Sequence, residues 1–499
     1  MDTEARKNAP LPLYRADQVR AFDRRAIDRH AIPGHRLMTR AGAAAFAALR
    51  QYWPAERRLL VLCGGGNNAG DGYVVARLAH EAGYQVRLAW LVEPEKLQGD
   101  AGTASREALA AGVPGEPFAP GLLSPAGVVV DALLGTGLER PLEGAWLAAV
   151  EAVNQSRRPV LALDIPSGLQ TDTGAVLGAA IRARVTITFI ARKLGLFTGS
   201  AADHSGELVF DDLEVPATVT AGAEPAAGLL TPEWLAARLP RRRRSAHKGD
   251  FGHVLVAGGQ PGMAGAALLA AEAAARSGAG LVSLATHPAH AVAISAGRPE
   301  LMVHGVQERH ELRPLLKRAT VIALGPGLGQ DGWGEYLWAQ LVDSELPLVL
   351  DADGLNWLAR HPRQRSDWIL TPHPGEAARL LDCSPADIQA DRPAAVRELQ
   401  KRYGGVVVLK GAGSLIADGA HCWLSASGNP GMASGGMGDV LTGMVAALRA
   451  QGLPAAVAAA AGVYAHGLAA DRAARGGERG LVASDLLADL RGVMNPSHD

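Results

Sequence analysis

Short runs of aliphatic and β-branched residues alternate with longer Ala/Leu-rich stretches along almost the whole chain. Apolar runs bounded by glycine and polar positions read as buried strands, and the longer alanine-rich stretches read as helices. The first half is predicted to hold strands at 59–63, 86–91, 128–132, 160–164 and 185–190, with helices at 73–82 and 146–154. The second half starts afresh at residue 253 and repeats the pattern, with strands at 281–286, 321–324, 346–350, 368–370 and 406–409. Its helices are predicted at 264–277, 440–450 and 455–470. Strand–helix alternation of this kind predicts α/β units with largely parallel sheets.

A chain of 499 residues is too long for one hydrophobic core. Around 216–232 the text changes to Ala, Gly, Thr and Pro with few large apolar residues, which predicts a linker. The expected domains are therefore 1–225 and 226–499. A net charge of −1 leaves no field to recruit nucleic acid or an anionic membrane. The run Arg241, Arg242, Arg243, Arg244 reads as a solvated interdomain segment. Cys63, Cys383 and Cys422 are widely spaced, which suggests a reduced compartment without disulfides or zinc. No apolar span is long enough for a membrane and the N-terminus lacks a signal-peptide core, so a cytoplasmic protein is expected.

Polar loops gather where strands end, which is where open α/β sheets bind ligands. In the first half these are the stretch GGGNNAGDG at 64–72, Asp131 with the following ALLGTG, and Asp164 with Ile165, Pro166, Ser167 and Gly168. They deliver Asn68, Asp131, Asp164 and Ser167 toward one crevice, and oxygen-only ligands suit a hard cation. Singly, each aspartate could merely cap a turn. In the second half, GGQPGMAGA at 258–266, GPGLG at 325–329, DAD at 351–353, TPHPGE at 371–376 and KGAGS at 410–414 occupy equivalent places. Beyond them, Asn429 opens NPGMASGGMGD, which runs into a helix at once. Glycine amides at a helix N-terminus suit an anion, so the acid Asp439 among them is expected to act as a base beside a bound phosphate. The plain alternative is that Asp439 caps the helix.

The first half resembles the NAD(P)H-hydrate epimerase domain over about 14–215. The resemblance is carried by PGHRLMTRAG at 33–42, GGGNNAGDG, DALLGTGL and DIPSGL in order. It implies a Rossmann-like three-layer fold and a potassium ion held by Asn68, Asp131 and Ser167. It further implies contacts to a hydrated nicotinamide cofactor from Asn67, Asn68, Ala69, Gly70 and Asp71. Gly135, Thr136, Gly137, Leu138, Glu139, Arg140 and Pro141 would add to these, with Asp164. The reaction would interconvert the R and S hydrates at ring carbon 6, with Asp164 as acid/base. Asp164→Ala is expected to abolish epimerisation and leave the fold.

The second half resembles the ADP/ATP-dependent NAD(P)H-hydrate dehydratases, members of the ribokinase-like fold, over about 229–492. KGDFGHV, GPGLG, TPHPGE and NPGMASGGMGD carry the likeness. It implies that Lys410, Gly411, Ala412, Gly413, Ser414, Asn429, Gly435, Gly436 and Gly438 hold the nucleotide. Ala266, Gly327, His373 and Asp439 would contact the hydrate, with Asp439 as catalytic base and Mg2+ entering with ADP. Together the halves imply repair of hydrated NADH and NADPH by a cytoplasmic homo-oligomer, giving AMP and phosphate. A ribokinase-like small-molecule kinase with a non-catalytic first half is the alternative; it would leave a stable phosphorylated product instead of reduced cofactor.

Overall fold

The computed structural model describes residues 8–496. Two compact units divide after Ala227: Pro12–Ala227 is one, and the other runs from Gly228 onward and includes the described residues 8–11. The first unit holds β1 (Arg58–Cys63), β2 (Gln85–Trp90), β3 (Gly115–Pro117), β4 (Val128–Ala132), β5 (Val160–Leu163), β6 (Val185–Phe189) and β7 (Glu207–Asp211). Their order in the sheet is β3-β2-β1-β4-β5-β6-β7, and every pairing is parallel. The chain thus moves outward from β1 to one edge, then returns to lay β4 on the other side of β1. That reversal opens a crevice at the carboxyl ends of β1 and β4.

Successive strand residues face opposite sides of the sheet. Leu59, Val61, Val128 and Val130 pack with residues of α1 (Ala16–His30), α2 (Gly34–Tyr52) and α3 (Asn67–Glu81). Leu60, Leu62 and Val129 pack instead with Ala149, Val150 and Val153 of the helix Gly144–Ser156. The result is three layers, helix–sheet–helix, as the family resemblance implies.

The helix after β1 begins six residues earlier than periodicity predicts, at Asn67 rather than residue 73. Glycine and asparagine are poor helix formers, so propensity argued for a loop here. Close packing overrides it: a methyl group on Gly72 would lie 2.5 Å from the Ala132 side chain on β4. The glycines that read as a loop let this helix press onto the sheet. The predicted linker is also partly structured, because Val219 is fully buried in the first unit's core and Ala227–Leu229 forms a short strand.

In the second unit, β8 (His253–Ala257), β9 (Leu281–Thr286), β10 (Met302–Gly305), β11 (Val321–Leu324), β12 (Leu348–Leu350), β13 (Trp368–Leu370) and β14 (Val406–Leu409) are parallel. Their order is β10-β9-β8-β11-β12-β13-β14, with the same reversal at β8 and β11. An antiparallel extension follows, β15 (Ser414–Ala417) and β16 (Cys422–Ser425). Residues 410–413 are therefore a hairpin connection. The helices α4 (Ala264–Arg276) and α5 (Met437–Ala450) pack closely because their facing residues are small: a methyl group on Gly443 would lie 2.0 Å from the Ala270 carbonyl oxygen. Arg242, from the arginine run, lies over the Phe251 ring at 3.6 Å and donates to the Gly278 carbonyl, so the run is not only solvated. Among the described residues no helix is long and apolar enough to cross a membrane.

Candidate active sites

The crevice of the first unit is a cavity of about 880 Å3. Asn67, Asn68, Asp71, residues 135–140 and Asp164 line it; Ala69, Gly70 and Pro141 do not. Ala69 and Gly70 turn inward on α3, and a methyl group on Gly70 would strike the Met38 side chain at 2.5 Å.

Asn68, Asp131 and Ser167 come together around the backbone of Leu134. The Ser167 hydroxyl donates to Asp131 Oδ1 at 2.7 Å and accepts from the Leu134 amide at 2.9 Å. The Ser167 amide donates to Asp131 Oδ2 at 2.8 Å, and Asn68 Nδ2 donates to the Leu134 carbonyl at 2.9 Å. Asn68 Oδ1 is buried and has no hydrogen-bond partner among the described residues. A buried amide oxygen without a donor is costly, and a cation would satisfy it. Burial raises the Asp131 carboxyl to about 6 against the lowering effect of its hydrogen bonds from Ser167 and Leu133. The donor set is all oxygen and includes one carboxylate, which fits a monovalent hard cation.

Asp164 follows β5 with φ of +66°, a conformation that costs an L-residue energy and turns its side chain out of the strand direction. Its carboxylate accepts from the Lys193 ammonium, which also donates to the Phe189 carbonyl at 2.9 Å. Lys193 is sealed from solvent, while the Asp164 side chain keeps 16% of its surface open. Asp23, from α1, and Asp71 join them on the cavity wall. Burial, with Asp164 nearby, raises Asp71 well above the carboxylate range; it raises Asp23 to about 6 despite the lowering effect of Lys193. Sequence reasoning missed Lys193 and Asp23. Lys193 lies just past the end of β6, as Asp131 and Asp164 lie at the ends of theirs, and that position was the available signal. The ion pair also means that Asp164→Ala removes a structural partner as well as a reactive group.

In the second unit, a methyl group on Gly327 would lie 2.7 Å from the Met263 carbonyl oxygen and 3.2 Å from the Ala266 side chain, so the loop after β11 meets the loop after β8 and the first turn of the helix that follows it. Asp353 holds the second loop by accepting from the Gly329 amide at 2.9 Å. Gly436, at φ +89°, caps α5, and Asp439 lies inside its first turn. Asp439 is thus not the helix cap. Burial and the neighbouring Asp351 raise its carboxyl to about 7, against the pull of Lys410.

Lys410 makes a 2.7 Å ion pair with Asp351 and lies 3.8 Å from Glu376. Asp351 Oδ2 accepts from Thr442 at 2.8 Å. A methyl group on Gly438 would lie 3.1 Å from Asp351 Oδ2 and 3.2 Å from Lys410 Nζ. The glycine turn, the ammonium and two carboxylates therefore share one place. His373 caps the helix Pro374–Leu381: its Nδ1 accepts from the amides of Gly375 and Glu376 at 3.0 and 3.3 Å. Nδ1 then carries no proton and Nε2 is the donor. Burial and Lys410 lower the imidazole, which stays neutral near pH 7. Asn429 uses its amide internally, accepting from Gly431 and donating to Asp471, each at 3.0 Å.

The hairpin turn at 410–414 closes through Ser414, whose hydroxyl accepts from the Gly411 amide at 3.2 Å. Arg392, fully buried, braces it by donating to the carbonyls of Leu409, Lys410 and Gly413. Arg392 and Thr442 were not foreseen as parts of this site, nor was the buried His466, which Lys410 and Asp351 act on electrostatically; Glu376 was foreseen only as the end of the TPHPGE loop. Arg392→Met is expected to raise KM for the nucleotide about tenfold and to destabilise the second unit by roughly 2–4 kcal/mol, since charged hydrogen bonds are lost. Initial rates against nucleotide concentration and a urea titration check both.

Two family models match this chain. That of the YjeF-related protein N-terminus covers residues 34–195, and that of NAD(P)H-hydrate dehydratase covers 254–491. A bifunctional NAD(P)H-hydrate repair enzyme of Coxiella burnetii is 48% identical over 97% of this chain and 99% of its own length. That of Escherichia coli is 45% identical over 98% and 95%. Among solved structures, a ribokinase-like superfamily protein of Enterococcus faecalis aligns with a TM-score of 0.51 at 28% identity, over 55% of this chain and 96% of its own.

Proposed function

The chain belongs to the bifunctional NAD(P)H-hydrate repair enzymes, and from that premise we propose how its two units divide the work. The first unit interconverts the R and S hydrates of NADH and NADPH at C6. The second converts the S hydrate to NAD(P)H at the expense of ADP. The observation that carries this reading is the meeting of the 435–438 turn, Lys410 and Asp439 at one point.

In the second unit, residues 410–414 and 435–438, with Asn429, hold ADP, and Ala266, Gly327 and His373 hold the hydrate. Asp439 takes the proton of the C6 hydroxyl as its oxygen attacks the β-phosphorus, and AMP departs. Glycine amides and the Lys410 ammonium stand ready for the charge of the transferring group. The C6–O bond then breaks with loss of phosphate, driven by the ring nitrogen lone pair, and loss of a C5 proton restores the dihydropyridine. Mg2+ would enter with ADP and offset phosphate charge during the transfer.

In the first unit, departure of the C6 oxygen as water needs a proton, and re-entry of water on the other face returns one. Asp164, open to the cavity and steadied by Lys193, carries it. Asn67, Asp71 and residues 135–140 bind the hydrate. Potassium fits Asn68 Oδ1, Asp131 and Ser167, and when bound would supply a fixed positive charge beside the substrate. On the family resemblance the enzyme is a homo-oligomer, and on its composition it is cytoplasmic.

Mixed R and S hydrates, incubated with ADP, Mg2+ and K+, should convert fully to cofactor absorbing in the near ultraviolet. With K+ replaced by tetramethylammonium, or in Asn68→Ala, the fast phase should stop near half conversion while the dehydration rate holds. A stable phosphorylated product instead would favour a kinase.

A further inference from the structure

We infer that Asp351 is a positioning residue of the dehydration reaction, holding the Lys410 ammonium beneath the 435–438 turn and acting on the neighbouring Asp439 through its negative charge. The inference rests on Asp439 being the base. Asp351 sits at the end of β12, and its side chain is almost completely buried. Both carboxylate oxygens are committed, Oδ1 to Lys410 at 2.7 Å and Oδ2 to Thr442 at 2.8 Å. Its main chain is fixed as well, the amide donating to Leu324 on β11 at 3.2 Å and the carbonyl accepting from Gly354 at 2.9 Å. Oδ2 would be 3.1 Å from a methyl group on Gly438, the residue before Asp439. This carboxylate has no freedom to swing away from the glycine turn.

A buried ion pair is a poor device for stability, because desolvation offsets much of its attraction. Here it stands where charge matters to chemistry. Two like charges close together make it harder for either carboxylate to ionise. Asp351 keeps its charge because Lys410 and Thr442 favour the anion, and its pKa lies below the ordinary value despite burial. Asp439, raised first by its burial, therefore bears this further cost and holds its proton more tightly. The groups acting on Asp439 are Asp351 and Asp353, which raise it, and Lys410, which lowers it. Glu376 lies beside Lys410, and the neutral imidazoles of His373 and His466 interact with the same pair. A base matched to neutral pH is stronger than an ordinary aspartate and is still ionised often enough to act.

The test is the pH profile of kcat/KM for the S hydrate at saturating ADP. The wild type should show an acid limb near pH 7, the raised value of Asp439. In Asp351→Asn the limb should move down by about one unit and kcat should fall about tenfold or more. Epimerisation should be unchanged. Thr442→Val keeps the charge of Asp351 and should leave the limb in place. Lys410→Gln removes the opposing charge and should move the limb of its residual activity upward, which serves equally if Asp351→Asn does not fold. An unmoved limb in both charge variants overturns the inference. So does loss of the limb in Glu376→Gln, which would transfer it to that residue. If Asp439→Asn still dehydrates, the base assignment itself fails; if Asp439→Asn is inactive and the limb stays fixed in the charge variants, only the role of Asp351 falls.

Discussion

Asp439→Asn should lower ADP-driven dehydration by roughly 10³-fold, the middle of the range for loss of a positioned base, and should leave epimerisation intact. Asparagine keeps the size of the side chain and loses its proton affinity, so nucleotide binding should persist. The variant has a second signature, in stability. The folded-state pKa of Asp439 is raised from an ordinary 3.8 to about 7, chiefly by burial. Its contribution to stability is then fully present below about pH 4 and is lost as pH rises through 7, where the buried group must ionise. At pH 8 the wild-type second unit carries that penalty and Asp439→Asn does not. The variant should therefore melt at a higher temperature than wild type at pH 8, with the difference vanishing toward pH 4. A variant both inactive and less stable at pH 8 would mean that asparagine disrupts the turn, and retained dehydration would end the assignment. A more stable but inactive enzyme is the expected trade between a strained site and its function.

What the sequence made legible and what it hid differ by the range of the interaction. Strand ends such as Asp131, Asp164 and Lys410 could be placed because short apolar runs mark strands and glycines mark the turns after them. The domain periodicities repeat, so two sheets could be read from one chain. The start of α3 lies earlier than predicted because Gly72 serves close packing against Ala132 and not a ligand loop. The pairings that organise the sites were invisible for a different reason. Lys193 meets Asp164 across 29 residues, Asp351 meets Lys410 across 59, and Asp351 meets Thr442 across 91. No local pattern encodes such partners; they follow from strand order, which brings distant carboxyl ends to one rim. Arg392 was hidden in the same way, as a polar helix residue whose buried partners lie on the next hairpin.

The same pairing reshapes the expectation for the first unit. Asp164→Ala removes the hydrogen-bonded carboxylate that neutralises Lys193, and an ammonium with no solvent exposure is left with the Phe189 carbonyl and the raised, less ionised carboxyls of Asp23 and Asp71. Breaking one side of a buried ion pair costs roughly 3–5 kcal/mol, enough to unfold a marginal unit. Loss of epimerisation in that variant would not separate chemistry from folding. The double variant Asp164→Asn/Lys193→Met removes both charges and keeps the volumes close, so it should recover most of the lost stability. It has no proton carrier at the C6 oxygen, and epimerisation should stay depressed by roughly 10³-fold. Withholding ADP blocks the second unit, and R-to-S interconversion can then be followed by chromatography. Thermal unfolding of the single and double variants completes the cycle. A double variant that is stable and inactive assigns the chemistry to Asp164. One that epimerises at the wild-type rate moves the proton to Asp23 or Asp71, the remaining carboxylates of the same wall.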